Sequence, residues 1–528
     1  MTSARTTKRR SPGPQTHEVM IIGAGISGLS TAARLLDSGL QDIVVLERNA
    51  TVGAPPRRRL PGAPCDVPSM LYPYVLNQDA GRPQWTAVRP SASELGDYAR
   101  RLAGHFGLDR LIHFEQEAVR LEYDGPGARW VARTRAGRSF AGRAVVVALG
   151  SVPQARTPDI PGVEQFGGTT IHTADWDDRV DVAGKRVAVI GSGASAVQLV
   201  PELVNHAARV KVFQRTPRWT LPWPAHSAAA WDHALLRAVP FSRAAARHGV
   251  LSAHEPWAAN RLVRPVLTAA VERVATAHLR RQVQDPWERR LLSPTYRAGG
   301  RPTLASSDYY PALGRENCTL LHWPIATVSK AGIRTADALE HHVDVLVLAT
   351  GPDLAGPGAR FPIVGRDGRT LSRDHTDRAG SYKGVNVAGF PNMFLVPGPG
   401  PRPERSPDLI YLDARIDYTV RALSEMTAGA LRSLDVRDDA QRTYHRTVRT
   451  RLADTVWRSD GIRDGRHVTA GGFDPTVYPG LATDYAAQLA TLRFSDYIIE
   501  RAPTPTVVGA LNGAAPAPSA GRPSDRKG

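Results

Sequence analysis

The stretch Val19-Met-Ile-Ile-Gly23-Ala-Gly25-Ile-Ser-Gly28-Leu-Ser, continuing through Thr31-Ala-Ala-Arg-Leu-Leu-Asp-Ser-Gly39 to Ile43-Val-Val-Leu-Glu47, decides the fold. A short apolar run, a glycine turn, an amphipathic segment and a second apolar run predict one strand–turn–helix–strand unit with parallel strands. Gly23, Gly25 and Gly28 carry the spacing GxGxxG. The first glycine permits the tight turn, the second lets a pyrophosphate approach the backbone, and the third packs helix on strand. The helix N-terminus then faces the phosphate charge. Glu47 ends the next strand 24 residues after Gly23, where a carboxylate accepts hydrogen bonds from ribose hydroxyls.

The unit recurs 168 residues later: Val187–Ile190 as strand, Gly191-Ser192-Gly193-Ala-Ser-Ala196 as turn, a helix from Ala196 to Val204 that carries Gln198, and Val210–Phe213 as the next strand. Here Arg215 stands where the first copy has Glu47, beside Gln214 and Thr216. An acid would repel a 2′-phosphate, whereas a guanidinium pairs with one, so the second copy is predicted to take NADPH in preference to NADH. An acidic first site and a basic second one fit FAD on the first copy and NADPH on the second. Two more apolar runs, Ala144–Leu149 and Val343–Leu348, end in Gly150 and in Thr350-Gly351, where strand ends line a ligand crevice.

The expected fold class is α/β: two Rossmann-like dinucleotide-binding domains with a helical insertion, the NADPH domain inserted into a discontinuous FAD domain. Residues 1–16 read as a disordered basic tail and 17–155 as the first part of the FAD domain. The first part of the NADPH domain follows at 156–222, the helical insertion at 223–290 and the second NADPH part at 291–343. Residues 344–500 read as the second FAD part, with a helix from about Asp408 to Met426, and 501–528 as a second disordered tail.

The remaining composition narrows the classes. The 528 residues carry a net charge of +17, with 61 arginines against 6 lysines, but the two tails hold a good part of it and the rest is dispersed. No nucleic-acid motif accompanies the charge, so no nucleic-acid partner is expected. No apolar run approaches the ~18 residues of a membrane span, so no membrane is expected either. Two cysteines, Cys65 and Cys318, make no disulfide framework, and the polar start lacks a secretory signal. A cytoplasmic setting is expected. No metal site is read, and oligomeric state is not legible.

Between the two copies lies Phe166-Gly-Gly168-Thr-Thr-Ile-His172-Thr-Ala-Asp-Trp176-Asp, which spells FxGxxxHxxxW. With it the chain resembles the class B flavoprotein monooxygenases, which are flavin-containing monooxygenase-like, and within them the Type I Baeyer-Villiger monooxygenases. The resemblance runs from about His17 to Leu489. Further matches are Pro61-Gly-Ala63, Cys65-Asp66-Val-Pro-Ser69 with Tyr72, Phe213-Gln-Arg-Thr-Pro217, Ser307-Asp-Tyr-Tyr310, Ala349-Thr-Gly351 and Gly389-Phe-Pro-Asn392.

The resemblance implies that NADPH reduces FAD, that O2 adds to the flavin, and that a flavin peroxide inserts one oxygen beside a ketone to give an ester or lactone, with secondary metabolism as a setting. It implies that Asp66 lies near the flavin and positions a catalytic arginine, that Tyr72, Thr350 and Gly351 contact cofactor, and that Phe166, Gly168, His172 and Trp176 lie at the hinge between domains. Two departures keep alternatives open. At the arginine, this chain reads Gly299-Gly-Arg301-Pro302, so either Arg301 serves after a one-residue shift or the usual cation is absent. Val52-Gly-Ala-Pro55, followed by Pro56 and three arginines, replaces a glycine-rich run ending in tryptophan. The alternatives are oxygenation of an amine nitrogen or a sulfide sulfur, and a flavin-binding protein that has lost oxygenation.

Overall fold

The computed structural model describes residues 14–53, 92–150, 155, 157–177, 179–222, 265–301, 303–351, 359, 361–371, 380–397, 408–453, 468–469, 472–473 and 478–501. Two sheets, the first mixed and the second parallel, each built around one of the glycine turns, organise them.

The first sheet starts with β1 (Thr16–Ile22), whose chain turns at Gly23 into helix α1 (Ile26–Asp37) and returns as β2 (Ile43–Leu46). Helix α2 (Ala92–His105) leads to β3 (Ile112–His113), beside β2. A meander follows: β4 (Ala118–Asp124), β5 (Arg129–Thr134) and β6 (Ser139–Val147). β6 pairs parallel to β1 and antiparallel to β5, which ties the meander to the parallel strands. Alternation along β1 sends Val19 and Ile21 to a core under α1, and Met20 and Ile22 to a second core against Trp130 of the meander. All four are buried, which is why these strands read as unbroken apolar runs. Each such side chain contributes about 1.5–3 kcal/mol of burial.

The second sheet has the order β12-β9-β8-β16-β7. β7 (Thr169–His172) is its edge, and β8 (Arg186–Ile190), helix α3 (Ala194–His206) and β9 (Arg209–Phe213) form the second glycine-turn unit. Short strand β10 (Thr220–Leu221) precedes two helices at Pro265–Gln282 and Pro286–Leu292; residues 223–264 of the expected helical insertion lie outside the described residues. β11 (Leu304–Ala305) pairs with β10, and β12 (Cys318–Leu321) with β9. β13 (Ile325–Val328), β14 (Gly332–Thr335) and β15 (Glu340–His342) form an antiparallel meander, followed by β16 (Val345–Leu348). Val187 and Val189 pack on α3, while Ala188 and Ile190 face the meander.

Register corrects three boundaries. Residues 344–500 were expected to belong to the first domain, yet β16 pairs parallel to both β8 and β7 and so completes the second sheet. An apolar run fits either sheet equally well; only pairing decides. The return comes later: β17 (Ile363–Val364) pairs with β4, and β18 (Met393–Leu395) pairs with β6 beyond the end of β5. Helix Asp408–Ala428 then packs under α1, where Arg34 forms ion pairs with Asp413 and Asp417. Thr16 and Arg501, expected in the tails, are ladder residues of β1 and of the pair Leu431–Val436 with Tyr497–Arg501. Residues 1–13 and 502–528 lie outside the described residues.

Gly389-Phe-Pro-Asn392 is a structural knot. Asn392, at φ 57°, donates through Nδ2 to Arg143 O and Arg432 O and accepts at Oδ1 from Leu434 N at 2.7 Å. Trp130 Nε1 donates to Pro391 O at 2.7 Å. Among the described residues no helix is long and apolar enough to cross a membrane.

Candidate active site

The first turn is shaped by steric necessity. Gly23 sits at φ +106°, and a Cβ on it would lie 2.8 Å from Ala148 O at the end of β6. A Cβ on Gly28 would lie 1.9 Å from Gly23 O, so α1 could not pack this closely on the turn. Gly25 differs: it has ordinary φ, and a Cβ there meets nothing within 4 Å. The opening above Gly25, faced by the free N–H groups at the start of α1, suits a pyrophosphate. Glu47 is 8% exposed, accepts from Ala24 N at 2.8 Å through Oε2, and from Asn49 N and Nδ2 through Oε1. The carboxylate thus holds the turn from below while Oε2, with one donor, keeps a lone pair for a hydroxyl.

The second turn repeats the design. Gly191 has φ +130°, and a Cβ there would lie 2.3 Å from Ala349 O, the residue after β16. Gly193 has open space around its Cβ position, and Ala196 is fully buried against the strand. The helix begins at Ala194, two residues before the expected Ala196, because Gly193 already caps it. Gln198 is half-buried in its second turn. Ser192 Oγ donates to Thr216 O at 2.6 Å, joining the glycine turn to the loop after β9. In that loop Gln214 is buried and Arg215 is exposed. The sign reversal read from sequence therefore lies at equivalent strand ends. Thr350 and Gly351 follow β16, so their turn lies at the carboxyl edge of the second sheet, beside Gly191.

The signature segment is an edge clip. A Cβ on Gly168 would lie 2.4 Å from Asp344 O and 2.7 Å from the Phe166 ring, so glycine lets β7 dock on β16. Trp176 is 2% exposed in the core of the second unit. His172 ends β7 opposite Leu348 and accepts from Ala174 N at 3.0 Å through Nδ1; its Nε2 is buried without a hydrogen-bond partner, and the Gly351 backbone lies near the ring. Burial pushes its pKa down, the Gly351 backbone opposing, which keeps the ring neutral.

Arg301 is half-buried, its guanidinium 5.6 Å from the Tyr296 ring. Tyr296 OH donates to Pro217 O at 3.1 Å, and Trp219 Nε1 donates to Tyr296 O at 2.8 Å, which ties this corner to the loop bearing Arg215. Burial pushes the Tyr296 hydroxyl up, and Arg218 and Arg301 oppose it. The motif Ser307-Asp-Tyr-Tyr310 anchors the far side: Ser306 Oγ accepts from Asp308 N and Tyr309 N, and both tyrosines are buried.

Asp66 and Tyr72 lie outside the described residues, as do Pro302 and residues 54–59 of the altered segment. Of that segment, Val52 is buried and Gly53, at φ +61°, meets Gly96 O so closely that a Cβ would lie 2.6 Å away. Among the described residues no group of His, Cys, Asp and Glu is placed to hold a metal. Cys318 is a free, buried thiol pushed by burial up to about 12. The roles sequence reasoning missed are the Ala148 and Ala349 carbonyls that enforce the two glycines, and the link from Gln214 Nε2 to Leu291 O; Ala349 and Gln214 lie inside matched motifs, but what each one meets depends on tertiary approach.

Comparison with known proteins agrees with this geometry. Residues 20–231 match the pyridine nucleotide-disulphide oxidoreductase family. A Baeyer-Villiger monooxygenase of Streptomyces coelicolor is 33% identical over 507 residues, covering 94% of this chain and 95% of the relative. One of Pseudomonas aeruginosa is 31% identical over 495 residues, 93% of each. Among solved structures, an oxidized steroid monooxygenase bound to NADP superposes with a TM-score of 0.78 at 25% identity, over 92% of this chain and 100% of that one. A closed cyclohexanone monooxygenase gives 0.78 at 25%, over 93% and 100%. With two glycine turns on two sheets, the signature clip between them, and such likeness over nearly its whole length, the chain belongs to the Baeyer-Villiger monooxygenase family.

Proposed function

We propose that the protein is an FAD- and NADPH-dependent monooxygenase that converts a ketone, O2, NADPH and a proton into an ester or lactone, NADP⁺ and water. The observation that carries the reading is the pair of equivalent strand ends bearing opposite charge, Glu47 on the first sheet and Arg215 on the second. Membership of the family supports the same reaction.

Gly23, Gly25, Gly28 and Glu47 are assigned to FAD, together with Asp66 and Tyr72. Gly191, Ser192, Gly193, Ala196, Gln198, Arg215 and Thr216 are assigned to NADPH. Thr350 and Gly351 end the strand next to the second turn and are assigned to cofactor contact. When bound, the flavin takes hydride from the nicotinamide and activates O2. The chain's own residues position and stabilise. The amino ends of α1 and α3 direct unpaired N–H groups at pyrophosphate. Arg301, protonated at any working pH, is assigned to the negative charge that develops on the substrate oxygen. Asp66 is assigned to orienting that guanidinium. Phe166, Gly168, His172 and Trp176 hold the edge strand whose end meets Gly351, so cofactor contact at Gly351 is passed to the segment between the sheets.

The departure at Gly299-Gly-Arg301-Pro302 supports a second reading, oxygen transfer to nitrogen or sulfur, because that chemistry needs no fixed cation. Incubation of the FAD-loaded protein with NADPH, isotopically labelled O2 and panels of ketones, amines and sulfides separates the readings by mass spectrometry. Labelled ester or lactone is expected. Labelled N-oxide or sulfoxide alone would move the assignment to the second reading, and NADPH consumption yielding only hydrogen peroxide would remove oxygen transfer.

A further inference from the structure

The carboxyl edge of the second sheet carries more than Arg215. β9 and β12 run parallel with Phe213 opposite Leu321, and Gln214 N donates to Leu321 O at 2.8 Å. Beyond this contact both chains bend, at Arg215 and at Trp323, so the two residues leave neighbouring strand ends. The Gln214 side chain donates to Leu291 O at 3.0 Å and so draws helix Pro286–Leu292 to the same edge. That helix brings Trp287, whose ring meets His322 edge to face at 6.3 Å, and His322 stacks on Trp323 at 5.3 Å. Pro324 restrains Trp323 by keeping the preceding residue out of the helical region.

These rings do not serve the core. Trp287 is 56% exposed and Trp323 48%, and His322 is exposed. Three aromatic rings left open to solvent, at the strand end next to the one that carries exposed Arg215, are complementary to a nucleobase attached to a phosphorylated sugar. Every base presents a π face that stacks on such rings, and guanidinium pairs with phosphate.

We propose that Trp287, His322 and Trp323 form the seat of the adenine ring of the nicotinamide cofactor whose 2′-phosphate is held by Arg215. The proposal rests on the assignment of NADPH to the second unit. It makes the strand end after β12 a determinant of cofactor affinity, independent of the glycine turn and of the phosphate contact.

The test is calorimetric titration of the FAD-loaded protein with 2′,5′-ADP and with 5′-AMP, which share the base and differ in the 2′-phosphate. Trp323→Ala is expected to weaken both nucleotides by the same factor of about ten, and Trp323→Phe to restore most of the loss. Arg215→Ala is expected to weaken 2′,5′-ADP alone. Unchanged binding in both Trp323→Ala and Trp287→Ala overturns the adenine seat while leaving the NADPH assignment intact; the exposed rings then await a different partner. A loss in Trp323→Ala confined to 2′,5′-ADP overturns it as well, because the residue would then act through the phosphate. Wild-type protein that binds neither nucleotide overturns the NADPH assignment beneath the proposal.

Discussion

Gly191 and Ala349 are locked together: a Cβ on Gly191 would lie 2.3 Å from the Ala349 carbonyl oxygen, and Gly23 stands to Ala148 in the same way at 2.8 Å. In each sheet the strand behind the turn presses a carbonyl into the space where a side chain would be. Both glycines also have φ in the left-handed half of the map, which L-residues adopt at a cost.

This relationship separates the glycines into two kinds. Gly191→Ala and Gly28→Ala introduce contacts that neither backbone can relieve, and each is expected to lower Tm by more than 5 °C or to abolish folding. Gly25→Ala and Gly193→Ala meet nothing within 4 Å, so Tm of the cofactor-free protein should stay within about 2 °C. Because the space is where pyrophosphate is assigned, the latter pair should weaken FAD and NADPH binding respectively by about tenfold or more, read from flavin content and coenzyme titration. Normal cofactor affinity in Gly25→Ala would place the phosphate elsewhere.

Arg215→Ala should raise KM for NADPH by about thirtyfold, the worth of a charge-assisted contact near 2 kcal/mol, and leave KM for NADH within about twofold. Steady-state kinetics with both coenzymes check it. Equal increases would deny Arg215 the 2′-phosphate.

Arg301→Ala should reduce ester formation by on the order of 10²-fold while anaerobic flavin reduction by NADPH stays within about twofold. Its seat on Tyr296 predicts a second effect: Tyr296→Leu removes the ring beneath the guanidinium and should lower ester formation by a smaller factor, about three- to tenfold. Undiminished ester formation in Arg301→Ala would require another cation.

His172 gives a pH signature. Its pKa is lowered in the folded state, so above the unfolded value near 6.5 the ring is neutral in both states and stability is complete. As pH falls below 6.5 the unfolded chain takes up a proton first, and stability is lost down to the folded pKa. His172→Asn keeps an acceptor for Ala174 N and removes the titration. Its Tm should therefore fall less than that of wild type between pH 7.5 and 5.5, measured by differential scanning calorimetry; parallel curves would show that the ring titrates normally.

The sequence alone determined the two glycine-turn units, their acidic and basic ends and the signature between them. Those features are local: a turn at Gly23 or Gly191, an apolar strand and an amphipathic helix are each specified within about thirty residues. Tertiary structure decided what depends on pairing and approach. Val345–Leu348 joined the second sheet because its backbone groups pair with β8 and β7, a choice invisible in an apolar run. Ala148 and Ala349 gained their roles from backbone position, which carries no residue signature, and Gln214 from the approach of a helix carbonyl to its side chain. Trp287 and Trp323 lie 36 positions apart in the chain and meet at one sheet edge only because β12 aligns beside β9 and Gln214 holds the helix there. Local patterning fixes which elements form; hydrogen-bond register and close packing fix which residues face one another.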